Sequence, residues 1–280
     1  MIQNINFQNI LVAVDGSDYS IKAYKQCQET FGLIKEKINQ TIILHITNSK
    51  KDYLPLNYQG QQIYDYYIEN CLQYQNQRLI IEEQNSELPS CREQILNIAN
   101  NMQISFIFVG YYGRKQEKKD KNGMSQTVKH LCFHSQIPVF IIKELVCRST
   151  DSSPITYLAC LDGSNKAYKA LNVCLSLRNQ GDKFIFCYAP TPDKQKFSKI
   201  IKAKLEQELE NFKDIAWQFL ELETSFQVVQ SICQYINKNK ISYVVIGNNG
   251  YRAQLENKNF FGNTGEQIVL NSNSNIIIIP

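Results

Sequence analysis

The chain has 280 residues, 43% hydrophobic and 20% charged, which is length for about two domains and enough apolar matter for a core in each half. A net charge of +4 and a pI near 8.4 are too mild to point to nucleic acid, and no basic stripe carries interleaved aromatics. No apolar run reaches membrane-spanning length, and the first one starts at Ile10, so early that a cleaved leader is not expected.

The first half alternates apolar runs with helical patterns. Ile10-Leu11-Val12-Ala13-Val14 reads as a buried strand that stops at Asp15-Gly16-Ser17. Ser17 can cap a helix through about Phe31, with Ile21, Tyr24 and Cys27 at helical spacing. Gln40–Thr47 is the second strand, followed by a polar, Tyr-rich connection and a helix over 61–77. Arg78–Glu82 is a weaker strand, and Ser90-Cys91-Arg92-Glu93 has the form of a capping box opening a helix with Ile95, Ile98 and Met102 on one face. Ile104–Gly113 is a charge-free run of β-branched and aromatic residues ending in Gly-x-x-Gly. A charged loop from Arg114 to Lys121, a helix to Ser135 and a last strand, Pro138–Ile142, complete the unit.

The second half repeats the plan. Thr156–Leu161 stops at Asp162-Gly163-Ser164, and Lys183–Tyr188 is the second strand. Phe197, Ile201, Leu205, Leu209 and Phe212 share one face of a long helix, and Trp217–Glu223 is the third strand. The next helix buries Val229, Ile232 and Ile236. Ile241–Gly250 ends in the second Gly-x-x-Gly, a helix follows from Gly262, and Asn275–Ile279 is the last strand. The Gly-x-x-Gly pairs lie 137 residues apart and the Asp-Gly-Ser triplets 147, so the first half carries ten extra residues, expected in the Tyr-rich connection after His45. The pattern predicts an α/β chain of two tandem domains, 1–146 and 155–280, joined by a polar linker at 147–154. Each is expected to be a doubly wound five-stranded parallel sheet with right-handed crossovers.

In such a sheet strands one and four are neighbours, and the crevice between their carboxyl ends is where ligands bind. Asp-Gly-Ser and Gly-x-x-Gly meet there, and glycines that expose backbone N–H groups beside a helix N-terminus suit an anion such as phosphate. The chain has no G-x-x-x-x-G-K-[ST] and no G-x-G-x-x-G after strand one, which excludes the Walker loop and the dinucleotide fingerprint.

These residues resemble the universal stress protein family. In the first half Leu11–Ser17, Leu44-His45-Ile46, Val109-Gly110-x-x-Gly113 and Ile137-Pro138-Val139 carry the resemblance. In the second, Asp162-Gly163-Ser164 and Ile246-Gly247-x-x-Gly250 carry it. It implies a Rossmann-like fold of the adenine-nucleotide alpha-hydrolase-like type, pairing of the two domains through their last strands, and binding of ATP or AMP, with Mg, by a cytoplasmic stress or regulatory module. Carried over, Asp15 and Asp162 lie near the adenosine, Ile46 and Tyr188 line the adenine pocket, and Gly110, Gly113, Gly247 and Gly250 lie against ribose and phosphates. The family motif G-x2-G-x9-G-[ST] sets the phosphates on its last two residues. Nine residues lie between Gly113 and Gly123, but Met124 follows where a hydroxyl is expected; counting back from Pro138 puts Ser125-Gln126 there instead. In the second half Gly262 comes two residues late, with Asn263 in the hydroxyl position and Thr264 next.

No base or nucleophile pairs with Asp15 or Asp162, so little or no catalysis is expected. An alternative of another class is a ligand-free structural or adaptor subunit, favoured by the off-pattern phosphate loops and by an exposed cluster of Tyr53, Tyr58, Tyr64, Tyr66 and Tyr67. His130 and His134, four apart on a helix, lack a third metal ligand, and His45 reads as a core residue. The lysines at 115–121 read as a solvated loop, and nine cysteines without a C-x-x-C read as buried reduced thiols.

Overall fold

The computed structural model describes residues 8–31, 38–51, 53–71, 76–88, 90–114, 123–147, 154–190, 196–223, 227–250 and 261–280. The chain falls into two compact units, Asn6–Leu145 and Val146–Pro280. In the first, strands β1 (Asn9–Ala13), β2 (Gln40–Thr47), β3 (Gln77–Glu83), β4 (Ile104–Gly110) and β5 (Val139–Ile142) alternate with helices α1 (Asp18–Phe31), α2 (Gly60–Cys71), α3 (Cys91–Asn101) and α4 (Gln126–His134). The strands are parallel in the order β3-β2-β1-β4-β5. The second unit carries β6 (Thr156–Leu161), β7 (Lys183–Tyr188), β8 (Ala216–Glu221), β9 (Tyr243–Gly247) and β10 (Asn275–Ile279). Its helices are α5 (Asn165–Ser176), α6 (Lys196–Leu209), α7 (Val228–Lys238) and α8 (Asn263–Asn271), and its order, β8-β7-β6-β9-β10, is the same. In both units the winding reverses between the first and fourth strands, which opens the crevice at their carboxyl ends.

The central strands are apolar because a parallel sheet is covered on both faces. Ile10–Val12, Ile42–Leu44 and Phe106–Phe108 are each almost fully buried. The first core is aromatic: Phe31 packs against Phe106, Phe108 and Phe140, with Phe108 and Phe140 stacked at 4.3 Å. In the second, Tyr157 stacks on Phe184 and Tyr243 across three strands, with Phe186, Tyr188 and Phe261 also buried among aliphatic side chains. Serine hydroxyls start the helices: Ser17 accepts from the N–H of Ser20, Ser90 from Glu93, Ser125 from Val128 and Ser164 from Ala167.

Strand register gives the equivalence of the two units residue by residue. Leu11 corresponds to Leu158, Ile42 to Ile185, Arg78 to Gln218 and Ile107 to Val244, offsets of 147, 143, 140 and 137. The extra residues of the first unit are therefore spread over three crossovers, rather than gathered in the Tyr-rich connection. That connection is nonetheless long, with a 3₁₀ turn at Leu56–Tyr58 before α2 begins at Gly60; Gln77, expected at the end of the helix, begins β3. Two further expectations are corrected. Tyr67 is buried, not exposed, since it shares the inward face of α2 with Ile63 and packs edge-on against Tyr24 and Tyr66. Phe197 is 47% exposed: Ser198, not Phe197, shares the buried face of Ile201, Leu205 and Leu209, and its hydroxyl bonds Glu221.

Candidate functional site

Asp15 lies just past the end of β1. Its Oδ1 accepts from the N–H and hydroxyl of Ser17 at 3.1 and 2.6 Å, and its Oδ2 from the N–H of Arg114 at 3.0 Å. A Cβ on Gly113 would stand 2.9 Å from that Oδ2, so only glycine lets the reversal after β4 come this close. In the second unit Asp162 Oδ1 accepts from the N–H of Ser164 at 2.9 Å, and a Cβ on Gly250 would stand 3.0 Å from Oδ2. Each unit thus brings its two turns together at one rim. Gly110 and Gly247 end β4 and β9 beneath the first turns of α1 and α5, where a Cβ would meet Tyr19 and Lys166 respectively.

The helices that follow begin at equivalent residues. The N–H of Ser125 donates to Tyr111 O at 3.3 Å, and the N–H of Gly262 to Asn248 O at 3.1 Å. Ser125, not Gly123, is therefore the counterpart of Gly262; Gly123 stands two residues upstream and Met124 is buried. The two N-termini differ in chemistry. Ser125 Oγ spends its acceptor on Val128 N–H at 3.1 Å, whereas Gly262 caps α8 without a side chain. Asn263 and Thr264 are exposed at the first two positions of α8, whose leading amides have no hydrogen-bond acceptor within the helix.

The crevices are lined differently. Gly16 has φ +82°, and a Cβ there would lie 2.3 Å from Asn57 O, so the Tyr-rich connection roofs the first rim with its own backbone. Arg114 holds that roof by donating Nη1–H to Tyr58 O at 3.2 Å. Below it Tyr112 packs edge-on to Tyr19 and Tyr111 at 5.1 and 4.5 Å, and Lys143 Nζ sits 4.5 Å from the Tyr111 ring. Burial raises the Tyr111 hydroxyl pKa first, and the neighbouring tyrosines raise it further. In the second unit Gly163, at φ +85°, has nothing among the described residues nearer its missing Cβ than Ile201 Cδ1 at 3.9 Å. Lys166 Nζ donates to Asn248 Oδ1 at 2.6 Å, and burial followed by the charge of Lys169 lowers its pKa. Asn249 is buried, and its Oδ1 has no partner among the described residues. Lys166 and Arg114 were not foreseen; the signal available for Lys166 was a cation in the first turn after Asp-Gly-Ser.

Ile46 and Tyr188 do not hold equivalent positions. Ala13 pairs with Leu44, and its counterpart Cys160 pairs with Cys187, so Tyr188 corresponds to His45. One residue of offset turns Ile46 and Tyr188 to opposite faces of their sheets. His45 is buried and its Nδ1 lies 2.8 Å from Val14 O, a carbonyl that can only accept, so Nδ1 carries the proton. Burial, and secondarily the charge of Arg114, lower its pKa against the opposing effects of that bond and Asp15. His130 lies 3.1 Å from Glu93 and beside His134, and among the described residues no group of three metal-ligating side chains forms. The described cysteines are free thiols, mostly buried, with Cys147 exposed. Residues 115–122 and 251–260, with the lysine run and most of both charged loops, lie outside the described residues.

Residues 6–143 match the model of the universal stress protein family. The first unit is therefore a domain of this family. Its fold is similar, at a TM-score of 0.63 and 16% identity, to a universal stress protein from Archaeoglobus fulgidus, covering 96% of this chain and 95% of that one. It is also similar, at 0.60 and 13%, to a putative universal stress protein from Pseudomonas aeruginosa, covering 98% and 93%. No curated protein matches the chain. No helix among the described residues is long and apolar enough to cross a membrane.

Proposed function

We propose that this universal stress protein binds an adenine nucleotide, ATP or AMP, in the crevice of its second unit, as a regulatory binding module with little turnover. The observation that carries this reading is the polar lining of that crevice: Lys166, Asn248 and Asn249 beside the side-chain-free start of α8. Helix-start amides and an ammonium group are what phosphate oxygens need. Asp162, on the opposite lip, can accept from a ligand hydroxyl or amino group. A Mg²⁺ ion would arrive with the phosphates and offset their charge.

In the first unit the equivalent space is roofed by Asn57 and lined by three tyrosines, so that crevice fits the ligand-free scaffold reading instead. The test uses Trp217, the sole tryptophan, whose place in β8 makes its fluorescence a reporter of the second unit. A nucleotide at a hundred times its Kd adds about 2.7 kcal/mol to the folded form it binds. The melt followed at Trp217 should rise with ATP and magnesium; no shift at millimolar nucleotide sinks the proposal.

A further inference from the structure

The first unit contains a second concavity, separate from the crevice between β1 and β4. It is a cleft of about 420 Å³, lined by the end of β2, the Tyr-rich connection and the start of α2. That volume lies within the roughly 300–1,000 Å³ of small-molecule sites. Asp15, Ile46, Gly110 and Gly113 do not line it. Thr47 and Ile81 do, and strand alternation sets Thr47 on the opposite face of β2 from Ile46.

Its walls divide by chemistry. Lys51 and Arg114 contribute two positive charges, and the first residues of α2, Gly60 and Gln61, bring the positive end of a twelve-residue helix. Among the described lining residues the one carboxylate, Glu83, is occupied: its Oε1 accepts from the N–H and hydroxyl of Ser49 at 2.8 and 2.9 Å. Tyr58, Tyr64, Leu54 and Ile81 supply the apolar part of the lining, beside the polar Thr47, Asn48 and Gln59. The cleft is preorganised, since Arg114 is fixed to Tyr58 O and Gln59 Nε2–H donates to Leu54 O at 2.9 Å. We infer that this cleft is a binding site for a small organic anion with an aromatic body, an aryl phosphate or aryl carboxylate. The head is neutralised by Lys51, Arg114 and the α2 amides while the ring lies on the tyrosines. The sequence between β7 and α6 contains no tyrosine, so the site is assigned to the first unit.

The test is calorimetric titration of the full chain with phenyl phosphate and benzoate, against inorganic phosphate as an anion without a body and benzyl alcohol as a body without a charge. One saturable site is expected for at least one aryl anion, with both controls about tenfold weaker or more. Lys51→Gln and Tyr64→Ala alter partly exposed side chains and should leave the melting temperature unchanged while each weakens that binding about tenfold. Lys166→Met, in the other unit, should not affect it, so this site and the nucleotide crevice stand or fall separately. Absence of saturation by both aryl anions at about 10 mM, some 2.7 kcal/mol of affinity, overturns the inference. So does a control that binds as well, unchanged affinity in either cleft variant, or loss of binding in Lys166→Met.

Discussion

The two rims share a backbone and differ in what fills it. Tyr19, Tyr111 and Tyr112 of the first unit stand where the second has Lys166, Asn248 and Asn249. In both, an aspartate faces a glycine across the ends of the first and fourth strands. Duplication has kept the features the turns require: positive φ after the aspartate, no Cβ beside its carboxylate, and a serine starting the first helix. The side chains that no turn depends on have diverged, from interlocking rings to a cation and two amides. A glycine pattern therefore reports geometry, and the chemistry has to be read from its neighbours.

The largest expected effect separates the two roofs. Gly16→Ala sets a methyl against Asn57 O at 2.3 Å in a left-handed backbone, which should cost about 2–4 kcal/mol from clash and strain together. Gly163→Ala, at nearly the same φ but with only an ordinary contact to Ile201 at 3.9 Å among the described residues, should cost about 1–2 kcal/mol. Denaturant midpoints followed by far-UV circular dichroism, with Trp217 fluorescence to single out the second unit, give both values. Equal costs would mean that the first rim is not roofed. Next comes affinity. Lys166→Met should weaken nucleotide binding about tenfold, roughly 1.4 kcal/mol, while Asp15→Ala in the roofed crevice leaves it unchanged; the reverse pattern in a titration would assign the nucleotide to the first unit.

The alternation of elements was legible because parallel strands buried on both faces read as unbroken apolar runs, and serines marked the helix starts. The bounds of β2 agree with expectation to the residue. The meeting of Asp15 with Gly113, and of Asp162 with Gly250, follows from topology alone. Side-chain placement was less legible. Tyr188 and Ile46 look alike as the last apolar residues of second strands, yet one residue of register sends them to opposite faces. The roof over Gly16 depends on a loop path that local sequence does not encode. Lys166 sits in a helix turn where a lysine ordinarily faces solvent, and only the packing of α5 on Gly247 brings it to the rim.

A pH dependence should also tell the units apart, because all three histidines lie in the first. His45 is held neutral by burial, so its folded pKa lies below its unfolded one near 6.5. As pH falls through that unfolded value, the unfolded chain takes up a proton that the folded unit refuses. Stability is full above it, declines at up to about 1.4 kcal/mol per pH unit, and levels off below the folded pKa. His130, also lowered chiefly by burial, adds to the decline. The decline should appear in the circular dichroism melt, be reduced in His45→Gln, and be absent from the Trp217 signal between pH 7 and about 5. A parallel decline at Trp217 would trace the acid sensitivity to something other than these histidines.

The smallest effect bears most directly on why one helix start is capped and the other open. Ser125→Ala removes the acceptor for Val128 N–H and should cost the first unit about 1 kcal/mol. Gly262→Ser makes the opposite change: at φ −63° and ψ 140° a serine fits without strain, and its hydroxyl can accept from the third amide of α8. The gain in stability should be a few tenths of a kcal/mol. That amide is then no longer available to a phosphate oxygen, so the same variant should bind nucleotide more weakly. A crevice kept open for an anion predicts opposite signs for stability and affinity in one substitution. If Gly262→Ser stabilises the second unit and leaves affinity intact, the amides of α8 do not hold the phosphates, and Lys166 must do so without them.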